Sequence, residues 1–567
     1  MASKSSNQKL IILTTLFLSL SLFLLAATKL QPCGRLISLC RLQSRPLSHR
    51  YQQSSSTHKP PKWFSAVQKQ FKQRKKVMAI GLVNIGLDDK DSRGLLGLAD
   101  VVKVNFDRVS LAVKWEQLFP EWIDEDMTQE KPECPDIPMP RWEDYQGLDM
   151  VVARVPCGNG SSKARKDGIR DVFRLQVNLV VANLVTSQGD GAHGGRGEEM
   201  VVPVVFVGRC EPMLEIFRCD DLLRHEVGKY WVYKPKVGKL MEKILMPVGT
   251  CELASSPRFD SDDNRSRMMT NQDGRRPEAY ATMLHSSEHY VCGAIALAQS
   301  LLRTNTTKDL VLLADPTISA KSIRGLSAAG WKIKRIQRIR SPHAKEDAYN
   351  EWNYSKFRVW QLTEYSKIIF IDSDFIVLRN IDNFFRYPQL SAAPNHMWIF
   401  NSGILVIEPS NCTFKHLMSK RYTLRSYNGG DQGYLNEVFT WWHRMTMKLN
   451  YLKVYDYNDG EGPRREVPDD QYAVHYLGVK PWVCYKDYDC NWDKLRTQIF
   501  ASDDAHRKWW EVYEEMPKGL KGFCGLSWEM DERLRKWREK AKEENLSDGH
   551  WKIVVKDIRR HHHSLGL

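Results

Sequence analysis

The chain has 567 residues, 42% of them hydrophobic, and a formal net charge of +15 at pH 7. Its composition is that of a globular protein, and its length exceeds what one hydrophobic core usually supports, so we expect two folded regions plus accessory segments. The lysines and arginines are spread along the chain without an RNA-binding motif. This pattern argues against a nucleic-acid partner and favours acidic polysaccharides, anionic small molecules or a membrane surface.

An uncharged apolar run, LIILTTLFLSLSLFLLAA at residues 10–27, follows a short segment that contains Lys4 and Lys9. At 1.5 Å per residue such a helix reaches about 27 Å, which suits a thin bilayer. A cleaved signal peptide is the alternative, but the run is longer than the usual apolar core of a signal peptide. We therefore predict a single-pass membrane anchor, with residues 1–9 cytosolic and the rest of the chain in the lumen of the secretory pathway.

Six N-glycosylation sequons and twelve cysteines fit a lumenal location. The sequon asparagines are Asn159, Asn264, Asn305, Asn353, Asn411 and Asn545. Cys484 with Cys490, and Cys210 with Cys219, are close enough in sequence to form disulfides. No doubled CxxC spacing occurs, so a structural zinc site is not expected.

The segment 28–76 is rich in Ser, Gln, Arg and Lys and lacks sustained apolar periodicity, which predicts a flexible stem. Residues 77–254 form a predicted α/β accessory region, in which MAIGLVNIG, DMVVARVP and VVPVVFVG are strands and DVFRLQVNLVVANLV is a helix. The Pro-rich segment Cys134–Pro140 is a predicted loop, and nothing in this region has the spacing of a catalytic site. Residues 255–278 are polar and aperiodic, which predicts a linker.

Apolar strands alternate with helical stretches in residues 279–527. The predicted helices are YVCGAIALAQSLL, IRGLSAAGW and FRVWQLTEY, and the predicted strands are DLVLLADP, KIKRIQRI and KIIFIDSDFIVL. This alternation predicts an α/β fold with a mostly parallel central sheet, and ligands at the carboxyl ends of its strands. Residues 528–567 are expected to form a charged tail with a helix and a disordered end.

Asp372 and Asp374 directly follow a run of Ile and Phe that must be buried. Two carboxylates at the end of a core strand repel each other unless a cation lies between them and an anionic ligand, as Mg²⁺ or Mn²⁺ does with a diphosphate. Further along the chain, His475 can complete such a metal site, and Lys480 can neutralise a phosphate. Taken singly, an Asp-x-Asp pair is usually solvated and a lone histidine is usually structural.

Six motifs occur in an order that resembles the glycogenin-type family of retaining glycosyltransferases, family 8. They are YVCGA at 290–294, KFRVW at 356–360, DSD at 372–374, NSGILV at 401–406, GDQG at 430–433 and HYLGVKPW at 475–482. The likeness covers roughly residues 279–485 and implies a nucleotide-sugar-binding domain of the GT-A type. The apolar amino-terminal run, CPDIPMP and the long carboxyl-terminal part are more similar to the plant glycogenin-like xylan α-glucuronosyltransferases.

The resemblance implies a role for each matching residue. Asp372, Asp374 and His475 match the family's ligands for Mn²⁺, which Mg²⁺ could replace. The positions implied to bind the donor are Ser286, Ser287, Tyr290, Lys356, Asn401, Ser402, Gly403, Gly478 and Lys480. Asp431 and Gln432 match catalytic positions around the transferred sugar. The family's usual Thr-Asn pair near the uridine is Ser286-Ser287 in this chain.

The family transfers a sugar from a UDP-sugar with retention, and the narrower likeness implies UDP-glucuronate as donor and xylan as acceptor. Retention can use Asp431 as a nucleophile, or same-face attack by the acceptor with Gln432 steadying the cationic sugar, and both routes stay open. A glucuronate carboxylate needs a cationic partner, and the candidates by proximity are Arg338, Arg340 and Arg358. NSGILVIEP also fits a turn before a core strand, and Asp431 also fits a helix start.

Three other functions share part of this motif set: a self-glucosylating glycogenin-like initiator, a galactinol-synthase-like enzyme, and a non-catalytic subunit of a polysaccharide-synthesis complex. The anchor and sequons argue against the first, the long amino-terminal region against the second, and the intact metal triad against the third. The anchor predicts a membrane protein with a lumenal catalytic domain, and the resemblance implies that it lies in the Golgi and acts in cell-wall synthesis.

Overall fold

The computed structural model describes residues 60–68, 77–126, 134–157, 169–188, 202–255, 276–455 and 465–561. The predicted cytosolic tail and membrane anchor lie outside these ranges, as do most of the stem and of the linker. No helix within the described ranges is long and apolar enough to cross a membrane.

The accessory region is built on a six-stranded sheet. Its strands are β1 Ala79–Val83, β2 Asp100–Lys103, β3 Met150–Ala153, β4 Val204–Val207, β5 Leu222–Glu226 and β6 Tyr230–Tyr233. Its helices are α1 Lys62–Gln68, α2 Lys90–Arg93, α3 Trp115–Leu118, α4 Val172–Ser187 and α5 Val237–Ile244, with 3₁₀ turns at Trp142–Tyr145 and Cys219–Asp221. The strand order is β2-β1-β3-β4-β6-β5, and β2, β1, β3 and β4 run parallel. The strands and long helix predicted from sequence are confirmed, and 134–140 is a loop as predicted.

Helix α1 differs from the predicted flexible stem. Trp63, Phe64 and Val67 on this helix are buried in the core of the accessory region, against β1 and β6 residues such as Ile80 and Val232. Three apolar side chains within one and a half turns are enough to anchor a short helix, although they are too few to produce a periodic signal in a polar segment.

The second region carries a seven-stranded sheet and a small three-stranded sheet. Its strands are β7 Glu278–Leu284, β8 Asp309–Ala314, β9 Lys332–Arg335, β10 Lys367–Ile371, β11 Phe375–Val377, β12 Ser391–Pro394, β13 Phe400–Ile407, β14 His443–Arg444, β15 Tyr451–Leu452 and β16 Ala473–His475. Its helices are α6 Val291–Arg303, α7 Ala320–Ala328, α8 Asn411–Lys420, α9 Asp431–Val438, α10 Asp503–Glu515, α11 Lys518–Lys521 and α12 Trp528–Glu543. Its 3₁₀ turns are Glu288–Tyr290, Asn353–Gln361, Asp382–Arg386, Met447–Asn450, Pro481–Val483, Cys490–Asp493, Leu495–Phe500, Gly522–Cys524, His550–Lys552 and Ile558–His561.

The large sheet has the order β14-β12-β13-β10-β7-β8-β9. The pairs β7-β8, β8-β9, β7-β10 and β12-β14 are parallel, whereas β13 runs antiparallel to both β10 and β12. The predicted α/β fold with a mostly parallel central sheet is therefore confirmed. Strands β11, β16 and β15 form the small sheet beside the end of β10.

The predicted helix FRVWQLTEY is instead the carboxyl-terminal part of a 3₁₀ helix, Asn353–Gln361. Tyr354, Phe357 and Trp360 on this helix are all buried and are spaced three residues apart. A repeat of three is the period of a 3₁₀ helix, in which residues i and i+3 lie on one line. The same spacing also fits one face of an α-helix, so the sequence alone does not distinguish the two helix types.

Five disulfides connect the ten described cysteines: Cys134–Cys251, Cys157–Cys210, Cys219–Cys412, Cys292–Cys524 and Cys484–Cys490. The predicted Cys484–Cys490 pair is confirmed, and the predicted Cys210–Cys219 pair is wrong. Cys210 follows β4, and its partner Cys157 follows the neighbouring parallel strand β3, so sheet contact decides the pairing rather than closeness in sequence.

The accessory region packs on the second region through both covalent and ionic contacts. The Cys219–Cys412 disulfide joins them, and the neighbouring Arg218 forms an ion pair with Glu408, which is almost fully buried. Glu408 also pairs with Lys239 of α5 at 3.1 Å. The two regions are therefore joined by a disulfide and by two ion pairs to one buried glutamate.

The carboxyl-terminal segment also differs from its prediction. Its helix α12 is present as expected, but the chain beyond it is ordered through the Ile558–His561 turn. Arg559 is buried and donates hydrogen bonds to the carbonyl oxygens of Trp482, Cys484 and Cys524. A charged residue close to the end of the printed sequence thus holds the backbone that follows His475.

Candidate active site

Three predicted metal ligands meet at the carboxyl end of β10. Each of Asp372, Asp374 and His475 offers one ligand atom, and these atoms lie within 4.8 Å of one another. His475 Nε2 is 3.4 Å from Asp374 Oδ1. No other group of three such side chains occurs in the described part of the chain.

Strand pairing produces this convergence. Asp372 is the first residue after β10, and Asp374 is the last residue before β11. Strand β11 pairs antiparallel with β16 so that Phe375 lies opposite His475, and the two rings stack with centroids 4.1 Å apart. Residues a hundred positions apart are therefore brought to one point by the register of a three-stranded sheet.

Two lysines flank the triad, and of these Lys356 is buried and Lys480 is half-buried. Lys480 Nζ lies 2.7 Å from Asp374 Oδ2, and Lys356 Nζ lies 3.1 Å from Asp372 Oδ1. Lys356 also pairs with Asp431 Oδ2 at 2.6 Å, which places Asp431 beside the triad. The site thus contains three carboxylates, two ammonium groups and one imidazole, all largely buried except the Asp372 side chain, which is 33% exposed.

The two aspartates of the triad differ in their electrostatic state. Burial raises the pKa of Asp372 to about 6, because Lys356 offsets only part of the cost of burial and Asp374 adds negative charge. Burial also opposes ionisation of Asp374, yet Lys480 and His475 hold the pKa of that carboxyl below its usual range. Asp372 is therefore a carboxylate whose charge is incompletely balanced by protein groups, as expected where a cation binds.

The donor atoms suit a divalent cation that prefers oxygen and tolerates one nitrogen. Two carboxylates and an imidazole nitrogen form a ligand set of this kind. Asn450 Oδ1 lies 3.1 Å from His475 Nδ1, an arrangement in which Nδ1–H donates and Nε2 keeps its lone pair for the cation. Asn450 has no signal in the sequence, because it lies 25 residues before His475 at the end of a short 3₁₀ turn.

Asp431 begins helix α9, but its carboxylate does not cap that helix. Its Oδ2 accepts a hydrogen bond from Ser402 Oγ at 2.8 Å, in addition to the ion pair with Lys356. Gln432 Oε1 accepts from the backbone N–H of Ser402 at 3.3 Å. The helix-start interpretation therefore holds for the backbone only, since both side chains point to β13.

Asn401 lies inside β13 rather than in a turn before it, and its Oδ1 accepts a hydrogen bond from the Gly403 N–H at 2.8 Å. A Cβ on Gly403 would meet Asn401 Oδ1 and would stand 3.0 Å from His475 Cε1. The Gly403 carbonyl accepts a hydrogen bond from the Asp372 N–H at 2.8 Å. Glycine is thus required where β13 passes beneath the triad.

Gly478 has a φ of +74°, and a Cβ there would collide with Asn491 Oδ1 and Phe500. Asn491 also bonds both the N–H and the carbonyl of Val479. These contacts fix the turn that carries Lys480 to Asp374.

The three residues predicted to bind uridine lie on the loop after β7, but in two different settings. Tyr290 packs edge-on against Trp482 with centroids 5.7 Å apart, and Lys480 Nζ is 6.0 Å from its ring. Ser286 is exposed with a φ of +69°, and its N–H donates to Asp315 Oδ2 at 3.3 Å. Ser287 Oγ accepts from the His289 N–H and so caps the following turn. Only Tyr290 is thus linked directly to the triad's surroundings.

Asp315 is a site residue that the sequence interpretation missed. It directly follows β8, as Asp372 follows β10, and is fully buried. Beyond the Ser286 contact, its Oδ1 accepts hydrogen bonds from Thr317 N–H and Oγ1. The signal was available, because an aspartate directly after an apolar parallel strand marks the same edge of the sheet.

The three candidate arginines separate in the structure. Arg358 donates to Gln337 and Gln361, and Arg340 pairs with Glu351 at 2.7 Å. Arg338 alone reaches a strand-end residue of the site, with Nε 4.0 Å from Asp315 Oδ2.

Comparison with known proteins gives two family matches. Residues 52–251 match the GUX1-5 N-terminal domain, and residues 281–391 match glycosyl transferase family 8. The first match falls on the region without a candidate site, and the second contains Asp372 and Asp374.

Among curated proteins, UDP-glucuronate:xylan alpha-glucuronosyltransferase 2 of Arabidopsis thaliana is 48% identical over 85% of this chain and 80% of its own length. The protein numbered 5 in the same Arabidopsis series is 44% identical over 98% of each chain. Human glycogenin-2 is 31% identical over 46% of this chain and 55% of its own length. The plant relatives thus match across both regions, whereas the glycogenin match covers under half of the chain.

Proposed function

This chain belongs to the plant UDP-glucuronate:xylan alpha-glucuronosyltransferase family, and we propose that it transfers glucuronic acid from UDP-glucuronate to the xylan backbone. Like other members of glycosyl transferase family 8, it is a UDP-sugar-dependent retaining glycosyltransferase. The observation that carries the proposal is the buried cluster at the end of β10, where a metal triad, two lysines and Asp431 converge. Such a cluster suits a ligand that combines a diphosphate with a sugar.

Asp372, Asp374 and His475 are proposed to hold Mn²⁺, which when bound stabilises negative charge on the departing diphosphate. Lys480 is fixed at Asp374 by its ion pair and by the turn at Gly478, so its ammonium is preorganised for a phosphate oxygen. Lys356 forms ion pairs with both Asp372 and Asp431. It therefore fixes the distance between the proposed metal site and the proposed sugar site.

For the sugar, we favour same-face attack over a covalent intermediate on Asp431. One oxygen of Asp431 is already engaged by Lys356 at 2.6 Å and by Ser402 at 2.8 Å, and such pairing weakens a carboxylate as a nucleophile. In this role Asp431 and Gln432 stabilise positive charge on the sugar ring as the diphosphate leaves. A glycosyl group found covalently attached to Asp431, by mass spectrometry of a slow-substrate reaction, would contradict this choice.

The donor carboxylate is proposed to be bound by Arg338, whose side chain lies near the Ser286 loop. The Arg338→Lys variant is expected to raise KM for UDP-glucuronate more than KM for UDP-glucose, because lysine cannot form the paired hydrogen bonds that a guanidinium makes with a carboxylate. Arg358→Lys is the matched control, since Arg358 contacts Gln337 and Gln361 instead. Equal changes for both donors would place Arg338 away from the carboxylate.

The decisive experiment measures UDP release by the purified lumenal portion with Mn²⁺ and xylo-oligosaccharide, in separate reactions with UDP-glucuronate, UDP-glucose, UDP-galactose and UDP-xylose. Acceptor-dependent turnover with UDP-glucuronate alone is expected, and Asp374→Ala should abolish it. Turnover with another donor would be consistent with the proposed metal site but would contradict UDP-glucuronate as the donor. If no UDP is released from any of the four donors, the result would favour a non-catalytic subunit of a polysaccharide-synthesis complex.

We also propose that residues 10–27 anchor the protein in the Golgi membrane with the catalytic region in the lumen. The apolar run and the five disulfides support this, because disulfides form in the secretory pathway and are rare in the cytosol. A carboxyl-terminal fluorescent fusion should colocalise with Golgi markers and resist protease in intact vesicles. Protease sensitivity of the fusion would reverse the proposed orientation.

A further inference from the structure

Two tyrosines next to Gln432 expose most of their rings to solvent. Tyr427 is 60% exposed and Tyr349 is 86% exposed. Tyr427 is tied to the site directly, because its hydroxyl accepts a hydrogen bond from Gln432 Nε2 at 2.7 Å. Tyr349 is held beside it, because the adjacent Asn350 donates to the carbonyl of Asn428 at 2.6 Å.

The two loops that carry these rings are rigid. Ser341 Oγ donates to the Gly429 carbonyl at 2.7 Å, which ties the first loop to the second. Asn428 Oδ1 accepts hydrogen bonds from the N–H groups of Gly430 and Gly433. Gly429 has a φ of +71°, and a Cβ there would stand 3.0 Å from Asn350 Nδ2. The rings therefore project from a backbone that is already fixed.

This arrangement has no evident folding role. Exposed aromatic rings gain nothing from burial, whereas rings on a preordered backbone bind a flat apolar face with little loss of entropy. Pyranose sugars present such faces through their C–H groups. Gln432 joins the platform to the pocket, since its other end accepts the Ser402 N–H beside Asp431.

We propose that Tyr427 and Tyr349 form the acceptor subsite, on which consecutive sugar rings of a neutral β-linked xylan chain stack while one residue faces the donor sugar. The proposal rests on the proposed function for xylan as the acceptor and for the place of Gln432 beside the transferred sugar. It adds which surface holds the polysaccharide and why that polymer binds as an extended chain rather than as a single sugar.

The test uses steady-state transfer to xylohexaose by the lumenal portion. Tyr427→Ala should raise the acceptor KM about tenfold and Tyr349→Ala about fivefold, as expected for loss of one aromatic contact, with the rise confined to the acceptor KM rather than the donor KM. Tyr422→Ala is the matched control, because Tyr422 is also an exposed tyrosine but contacts Arg421. An unchanged acceptor KM in both test variants, or an equal rise in donor KM, would overturn the subsite.

A further variant separates the ring from its hydroxyl. Tyr427→Phe keeps the stacking face and removes the partner of Gln432, so the acceptor KM should stay near that of the wild type while kcat falls severalfold. A rise in acceptor KM equal to that of Tyr427→Ala would mean that the hydroxyl, and not the stacked ring, binds the acceptor.

A binding measurement distinguishes failure of the subsite from failure of the proposed function. Saturation-transfer NMR with xylohexaose should show contacts that disappear in Tyr427→Ala and persist in Tyr422→Ala. If these contacts appear but no glucuronic acid is transferred, the subsite stands and the proposed function fails. If transfer occurs but the contacts persist in Tyr427→Ala, the function stands and the subsite fails. If xylohexaose does not bind but a protein partner does, this surface is a docking site and the inference is wrong.

Discussion

The two regions of this molecule use the same architecture but place different chemistry at the ends of their strands. Both have α/β sheets with parallel strands, and in both an ionic residue follows a central strand. In the accessory region that residue is Arg154, which directly follows β3 and pairs with Asp89 and with Asp91, the latter at 2.7 Å. In the catalytic region it is Asp372, whose charge is only partly balanced.

The edge of the accessory sheet that carries Arg154 is also closed by a disulfide, in addition to having its charges paired. The Cys157–Cys210 disulfide joins the loops after β3 and β4, and Asn84 donates to the Arg154 carbonyl at 2.8 Å. The corresponding edge of the catalytic sheet holds the triad and the proposed donor pocket. In both regions the fold places an ionic residue at the end of a parallel strand. The two differ in that the charge of Arg154 is paired within the protein, whereas the charge of Asp372 is only partly paired and can bind a ligand.

The largest effect on activity is predicted for a substitution in the metal triad. Asp374→Ala should lower kcat/KM for transfer by about 10³-fold or more, because it deletes a metal ligand and the partner of Lys480. Asp89→Ala, at the matching edge of the accessory sheet, should leave kcat/KM within about twofold. Steady-state UDP release measures both. Similar losses of kcat/KM in Asp374→Ala and Asp89→Ala would show that the two regions do not differ in their importance for transfer.

The next effect concerns the buried lysine of the catalytic site. Lys356→Met leaves Asp372 and Asp431 without their shared cation, which should cost about 3 kcal/mol of stability and most of the activity. Lys243→Met in α5 is the matched control, since this lysine is equally buried but bonds the backbone carbonyls of Glu215 and Ile216. Denaturant unfolding and transfer assays should show both proteins destabilised but only Lys356→Met inactive when folded. Full activity in Lys356→Met would exclude it from the site.

A smaller effect is expected for the neutralised cluster. Arg154→Met should reduce stability by about 1 kcal/mol, because its ion pairs are about one-third exposed and therefore screened by solvent. Transfer kinetics should not change. Thermal unfolding with a parallel activity assay tests this, and a drop in kcat without loss of stability would reveal a catalytic role for the edge of the accessory sheet that carries Arg154.

The smallest effect is a pH dependence. Hydrogen bonds from Arg154 lower the pKa of Asp89 from 3.8 to about 2. A carboxyl with a depressed pKa in the folded state contributes stability that is fully present above pH 3.8 and is lost as the pH falls towards 2. The wild type should therefore lose more stability than Asp89→Asn between pH 4 and pH 2. Parallel curves for the two proteins would show that the Arg154 pairing is not formed in solution.

Much of this fold could be predicted because its signals are local. The strands around VVPVVFVG and KIIFI, the helix from Val291 and the place of Asp372 at a strand end follow from apolar periodicity and the rule for strand ends. The convergence of His475 on Asp372 was instead implied by the resemblance to family 8. The 3₁₀ helix at Asn353–Gln361 was predicted as an α-helix, because apolar residues three apart fit either type of helix.

The contacts that could not be predicted join segments far apart in sequence. Cys219 pairs with Cys412 across 193 residues, and Asn450 contacts His475 from a 3₁₀ turn 25 residues earlier in the chain. Neither partner carries a pattern that identifies the other, because tertiary packing and not local propensity brings them together. The link between Lys356 and Asp431 belongs to the same class.

The position of Arg559 in the chain affects the order in which parts of the site can fold during translation. The carbonyl groups of Trp482 and Cys484 border the turn that presents Lys480, and they receive their hydrogen-bond donor only when residue 559 has been added. Folding proceeds broadly from the amino terminus as a chain is synthesised. The accessory region and the Asp372 turn therefore form first, and a nascent chain shorter than this arginine lacks the hydrogen bonds that hold the backbone after Lys480. We therefore expect this part of the site to be the last to become ordered as the chain is made.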